Sequence, residues 1–228
     1  MQHLCIPQDI KSMENQTSRT RMQTVCLPLF GATICFVTMR FFDRATLFAV
    51  REMPEATKDV FMHLSYWTEP SKALTAMAMA VVLTALSSSV SGFPRPTLLK
   101  LFVLSLVSCV FVLCFVLLAK TSIGRERPLP SSGFDPFVFA PFSGSEAFES
   151  FPSAQAAIAA AICYCFMLRY PSCRPLALVL MVSVGLSRVV IERHWISDVV
   201  AGWLVGWLGA AVICALAQNR CAKQKLHR

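Results

Sequence analysis

An all-α, polytopic membrane protein with six transmembrane helices is the fold class this sequence predicts. Three observations carry it. The 228 residues are 55% apolar and only 15% charged, with a mean hydropathy of +0.57. A soluble domain carries roughly 25% charged residues, and six bare apolar helices would leave it too little chain to cover them. The apolar residues fall in runs of span-like length, and the cations are unevenly shared between the two ends of those runs. Disorder, a coiled coil and nucleic-acid binding are excluded by the same composition, in spite of the net charge of +8.

Each run is bounded by charge or proline. The first is Val25–Phe42, and the second, Ala73–Val90, follows the break Glu69-Pro70-Ser71-Lys72. Leu98–Ala119 is the longest and carries Lys100 near its start. Ala154–Leu168 is shorter and stops at Arg169-Tyr170-Pro171. Pro175–Leu186 is weak alone but is extended by Val189–Ile191, and Ser197–Ala217 is rich in Gly and Trp. Six such runs fit a helical bundle in a bilayer. Gly202, Gly206 and Gly209 predict close packing of the last helix, and Trp195 suits a membrane interface. The segment Phe42–Met53 has the pattern of a short amphipathic, interfacial helix.

Orientation follows from Lys and Arg. With six spans, both tails share a face with the loops at Ser91–Thr97 and Arg169–Arg174. That face holds eleven cations (Lys11, Arg19, Arg21, Arg95, Lys100, Arg169, Arg174, Arg220, Lys223, Lys225, Arg228) against Asp9 and Glu14. Both termini are therefore expected in the cytoplasm, with the tails at residues 1–24 and 218–228 flanking a membrane domain at 25–217. The tail cations set topology and touch anionic lipid; nothing here suits a nucleic acid. The polar N-terminal stretch lacks a signal-peptide cleavage pattern. All ten cysteines lie in spans or on the cytoplasmic side, which argues against a disulfide framework.

The same topology brings three polar clusters to the opposite face. They are Lys120 through Arg127-Pro128, Pro152-Ser153-Ala154-Gln155, and Ser187-Arg188 through His194 and Asp198. A lone cation at a membrane face is commonly a snorkelling anchor. Three polar clusters, two of them cationic, around one His and one Asp instead form a pocket for an oxyanion.

Lys120-x6-Arg127-Pro128, Pro152-Ser153 and Ser187-Arg188-x5-His194-x3-Asp198 resemble the signature of the type 2 phosphatidic acid phosphatase (PAP2) superfamily, which includes membrane lipid phosphatases and vanadium haloperoxidases. The resemblance implies a metal-independent phosphatase without a cofactor, in a bacterial inner membrane, with its site facing the periplasm. It makes His194 the nucleophile that forms a phosphohistidine. Asp198, one helical turn on, fixes the imidazole tautomer. Lys120, Arg127 and Arg188 hold the phosphoryl oxygens, and Ser153 with the backbone N–H of Ala154 adds donors at a helix N-terminus. The lipid bilayer and a membrane lipid phosphate (isoprenyl diphosphate, lipid A 1-phosphate or phosphatidate in type) are the implied partners.

One position departs from the family pattern. Where the family carries the histidine that protonates the leaving alkoxide, this chain has Gln155, and an amide cannot give up a proton near neutral pH. General acid transfer is typically worth about 10²–10⁴-fold. Among the other histidines only His63 shares the exported side, and an isolated His in a connecting segment is usually surface. Glu126, Glu146 and Glu149 flank the motifs, as acids or as counter-charges to the pocket. Three readings follow: a phosphatase that favours good leaving groups, a silent lipid-phosphate binder with Gln155 in place of the acid, and a transporter or scaffold that reuses the fold.

Overall fold

The computed structural model describes residues 30–91, 96–129 and 134–226. The N-terminal tail at 1–24, with His3, and the loop cation Arg95, the terminal His227 and Arg228 lie outside these residues. Among the described residues eight α-helices follow one another: α1 (Phe30–Phe41), α2 (Asp43–Arg51), α3 (Glu55–Trp67), α4 (Pro70–Ser91), α5 (Pro96–Ile123), α6 (Ala154–Arg169), α7 (Arg174–Val190) and α8 (Ile196–Leu226). Among the described residues there is no strand, only one isolated antiparallel bridge between Arg125 and Phe139.

Among the described residues four segments are long and apolar enough to cross a bilayer: Pro70–Ser87, Thr97–Ile123, Pro171–Val190 and Ile196–Gln218. Residues 25–29 of the expected first span lie outside the described residues, and the rest of it forms the helix Phe30–Phe41, while the fourth is the short helix Ala154–Arg169. At 1.5 Å per residue, the 16 residues of α6 reach about 24 Å, against a hydrocarbon core of about 30 Å. The expected last span, Ser197–Ala217, agrees with the apolar segment Ile196–Gln218, and α8 continues past it to Leu226. The long helices turn large apolar side chains outward, including Val82, Leu83 and Leu86 on α4 and Phe115 and Leu118 on α5. A surface of that kind is at home in lipid and not in water.

α6 is the helix the others surround. It packs on α5, α7 and α8, and nine of its 16 residues are buried. Most are small: Ala156, Ala157, Ala160 and Ala161 are fully enclosed. α8 answers them with glycine. A Cβ on Gly206 would stand 2.0 Å from the carbonyl oxygen of Ala157, and one on Gly202 would stand 2.5 Å from that of Ser153. Backbone therefore meets backbone along this seam, as in membrane helices that associate through small residues. Val112 and Val116 of α5, with Ile158, Ala210 and Cys214, fill the layer behind it.

The segment 42–72, expected to connect two spans, is itself helical. α2 forms where the amphipathic pattern predicts a short helix, and it buries Asp43, Leu47 and Val50 on one face. Pro54 and Pro70 bound α3, each at a position where a missing N–H costs little.

Replacing Gly206 with Val should force α6 and α8 apart. The expected loss is of order 1–3 kcal/mol, the usual range for overpacking. Thermal unfolding in detergent, followed by gel filtration, measures it, and a melting temperature equal to that of wild type would contradict the tight seam.

Candidate active site

The polar groups gather where α5 and α7 end and α6 and α8 begin, and local sequence explains each terminus. α5 stops at Gly124, whose φ of +61° suits glycine. Its N–H donates to Lys120 O at 2.9 Å, and a Cβ there would lie 2.1 Å from Ala140 O. Ser153 caps α6, its hydroxyl accepting the Ala156 N–H at 3.5 Å. Its own N–H donates to Asp198 O at 3.0 Å, so the starts of α6 and α8 are joined. Asp198 occupies the third position of α8 and accepts the Trp195 N–H at 2.9 Å, the reciprocal half of a capping box.

His194 sits in the α7–α8 turn. Its N–H and that of Arg193 donate to Arg188 O, at 3.2 and 3.1 Å. Glu192 holds a φ of +54°, strained for a residue with a Cβ, and Arg51 of α2 pairs with its carboxylate at 2.9 Å. The His194 ring is buried, with Nδ1 3.6 Å from Asp198 Oδ2. That separation is beyond hydrogen-bond length, and Nδ1 has no other partner. Burial pushes the imidazole down to about 3; Lys120 and Arg188 add to the push, and Asp198 opposes it. The ring is therefore neutral near pH 7, with a lone pair available.

Lys120 is buried at the end of α5 and donates to Glu149 O. Arg188 donates to the Ser65 hydroxyl of α3. Arg127 lines a cavity of about 340 Å³ with Leu129, Glu146, Ala147 and Arg193. Burial and the nearby Arg193 lower the pKa of its guanidinium. The Nε groups of Arg127 and Arg188 are both buried without a partner. Ala154 is half-buried at the start of α6.

Gln155 faces α3. Its Nε2 donates to Ser65 O at 2.8 Å and to the Thr68 hydroxyl. His63, two residues from Ser65 on the same helix, is exposed and so lies on a different face from the buried Ser65. Glu146 lines the Arg127 cavity, Glu149 offers its carbonyl to Lys120, and the carbonyl of Glu126 accepts the Trp195 indole N–H at 2.8 Å. Trp195, expected at the interface, is 1% exposed. Its ring is enclosed, with the Arg125 guanidinium 5.5 Å from its centre.

Several groups in this assembly gave no signal of their own in the sequence. Arg125 donates from NH2 to Asp43 Oδ2 at 2.7 Å, from NH1 to Ser197 Oγ at 2.7 Å and to Asp198 Oδ1, and from Nε to Pro136 O at 3.0 Å. Ser150 Oγ donates to Asp198 Oδ2 at 2.5 Å. Arg125 is thus a structural cation, although it lies two residues from Arg127 in the first motif. Asp43 was visible only as a charge in a connecting segment, and Ser65 and Thr68 as polar residues of the same stretch.

Half-buried arginines whose Nε groups are enclosed without a partner, together with a neutral imidazole, define a polar site at one end of a membrane helix bundle. Residues 101–221 match the model of the PAP2 superfamily. That is more than half of the chain, which belongs to this superfamily. It is a multi-pass membrane protein. Over 105 residues it is 38% identical to a lipid A 1-phosphatase of Rhizobium johnstonii and 37% identical to one of Rhizobium etli. These matches cover 46% of this chain and 42% and 44% of the relatives, so the chain spans less than half the length of each. Its fold is similar to that in the crystal structure of the first transmembrane PAP2 type phosphatidylglycerolphosphate phosphatase from Bacillus subtilis. That likeness has a TM-score of 0.63 and 21% identity, and it covers 87% of this chain and 97% of the other.

The buried neutral imidazole makes stability depend on pH. An unfolded His194 takes up a proton near its ordinary value of 6.5, whereas the folded one resists until about 3. The unfolded state binds more protons in that window, so stability falls as pH drops through it. At roughly 1.4 kcal/mol per pH unit, about 2 kcal/mol should be lost by about pH 5. His194→Asn should flatten this slope in thermal melts between neutral and acidic buffers. Identical slopes in the two proteins would refute the assignment.

Proposed function

We propose that the chain is a membrane lipid-phosphate phosphatase working through a phosphohistidine on His194. The observation that carries this reading is the set of buried, unpartnered N–H groups of Arg127 and Arg188 beside a neutral imidazole. Such donors are costly unless an anion completes them. The Nε2 lone pair attacks phosphorus, and the bond to the leaving oxygen breaks with its electron pair. Water then attacks phosphorus and the P–N bond breaks, which releases phosphate. Lys120, Arg127 and Arg188 hold the non-bridging oxygens, with Ser153 and the Ala154 N–H at the start of α6. Asp198 steadies the ring as it becomes cationic. No metal or cofactor takes part in this scheme.

In the proposed topology α1 and α4 to α8 cross a bacterial inner membrane. The tails at 1–24 and 218–228 are cytoplasmic, and the site of the 25–217 domain faces the periplasm. The substrate is a lipid phosphate with a good leaving group. An alkoxide leaves from a simple alkyl ester, with a conjugate-acid pKa near that of water, about 15.7. A phosphate ester, the isoprenyl monophosphate, leaves from an isoprenyl diphosphate, with a relevant pKa of about 6, and needs little protonation. A sugar 1-phosphate of the lipid A type, on which the named relatives act, is favoured over phosphatidate on the same ground. The bonds from Gln155 to α3 support this preference, because both amide N–H groups have partners there. The same observation favours a second reading, in which the protein binds lipid phosphate and does not turn it over.

Phosphate release from the purified protein decides between them, measured on lipid monophosphates, lipid A 1-phosphate and isoprenyl diphosphates. Diphosphate and sugar 1-phosphate should be cleaved much faster than phosphatidate. His194→Ala should abolish turnover, and Asp198→Asn should cut it steeply. Gln155→His should raise alkyl phosphate hydrolysis about 10²-fold and affect diphosphate far less. Equal rates on all substrates would mean that another group supplies the proton. Tight lipid-phosphate binding without release, in wild type and Gln155→His alike, would establish the silent binder.

A further inference from the structure

We propose that Asp43, on α2 and outside the sequence motifs, is a positioning residue for the reaction: it shares Arg125 with Asp198 and so leaves one net negative charge facing His194. This inference rests on the phosphatase reading above and assigns a residue that reading does not use.

The three charged groups are enclosed together, Asp43 at 1% exposure and the side chains of Arg125 and Asp198 at 0%. One guanidinium lies between two carboxylates. Arg125 donates to Asp43 Oδ2 at 2.7 Å and, from its other terminal nitrogen, to Asp198 Oδ1. Ser197 completes Asp43, its N–H reaching Oδ1 at 2.9 Å and its hydroxyl reaching Oδ2 at 2.7 Å. One positive charge against two negative leaves an excess of one. Asp198 presents that excess through Oδ2, 3.6 Å from His194 Nδ1.

The charge matters because of what else faces the ring. Lys120 at the end of α5 and Arg188 on α7 are both cationic neighbours of His194. Arg127 and Glu149 lie within electrostatic reach of Lys120, and Cys35 of α1 lies near both Asp43 and Asp198. When Nε2 bonds to phosphorus while Nδ1 keeps its proton, the imidazole becomes positive. Asp198 is the anion placed to meet that charge. If Asp43 were neutral, Arg125 would draw on Asp198 alone, and the pair would offer the ring no net charge. In a buried site of low dielectric such a change is felt strongly.

α2 is built to hold this carboxylate in place. Leu47 and Val50 are buried on the same face of the helix. At its far end Arg51 pairs with Glu192 in the turn that carries His194, 2.9 Å away. The helix thus touches the His194 segment on both sides, at Ser197 and at Glu192.

The test compares steady-state kinetics of the full-length variants in detergent, using the best substrate found for wild type. Asp43→Asn should lower kcat about tenfold or more with KM within about twofold, because transition-state charge is lost and ground-state binding is kept. Asp43→Asn combined with Arg125→Gln removes both charges and restores the excess of one. It should turn over at least about threefold faster than Asp43→Asn alone, whereas a purely structural role predicts a further loss. Wild-type kcat in Asp43→Asn, or a double variant no faster than the single one, would overturn the proposal. Should Asp43→Asn not yield a monodisperse protein, Asp43→Glu decides. It keeps the charge and should hold kcat within about threefold of wild type, and a larger loss in the folded variant overturns the proposal. A wild type that releases no phosphate from any substrate removes the phosphatase reading, and this inference with it.

Discussion

The guanidinium of Arg125, held between two carboxylates with no access to solvent, is the interaction on which the rest of the site depends. Burying an ion costs several kcal/mol unless its partners are in place. Here each nitrogen of the guanidinium has an acceptor: Asp43, Asp198 with Ser197, and the Pro136 carbonyl. These acceptors come from α2, from α8 and from the loop after α5, far apart in the chain. None can shift without exposing an unpaired charge in a low-dielectric interior. The loop is drawn in further by Ser150 N–H to Arg125 O at 3.0 Å and Arg127 N–H to Ala147 O at 2.8 Å. Arg127 is therefore carried on a segment that Arg125 anchors.

A second constraint works through shape. α6 presents alanine on its buried side, and α8 presents Gly202 and Gly206 to the carbonyls of Ser153 and Ala157. The helix starts of α6 and α8 are thereby set close enough for the Ser153 N–H to reach Asp198 O. Ser153, Ala154 and Asp198 stand together because two backbones touch, and no side chain of intermediate size would allow it. The small-residue seam and the buried ion triad act on the same few residues from two sides, one by packing and the other by charge.

Much of this was legible in the sequence, for identifiable reasons. Apolar runs bounded by proline or charge report helices directly, and α4 to α7 lie close to the expected limits. The spacing from Lys120 to Arg127 and from Arg188 to Asp198 fixed which residues share a helix end, and the structure brings those ends together. Connecting segments were harder to read. Phe42–Met53 showed an amphipathic helix, but nothing in a single acidic residue says that Asp43 points inward to a buried arginine. Ser65 lies within 13 residues of mixed character, and it is buried where Gln155 of α6 and Arg188 of α7 bond to it. Trp195 misled because an indole beside charged residues is common at membrane interfaces, whereas here its N–H meets the Glu126 carbonyl in the interior. The shortness of α6 was legible in its run, Ala154–Leu168, and a central helix shielded by its neighbours need not match the bilayer alone.

Gln155 joins these lines of argument. An amide is a poor proton donor, yet it makes a good buried strut because it forms hydrogen bonds without carrying charge. At this position it links α6 to Ser65 and Thr68, and the hydroxyl of Ser65 in turn accepts from Arg188. Gln155 therefore belongs to the structure that orients an arginine. In the proposed reaction an amide held in this way donates hydrogen bonds but no proton. That is harmless where the leaving oxygen departs readily as an anion and costly where it does not. Under that proposal the substrate preference and the α3 contact share one cause, the bonding of Gln155 to Ser65 and Thr68.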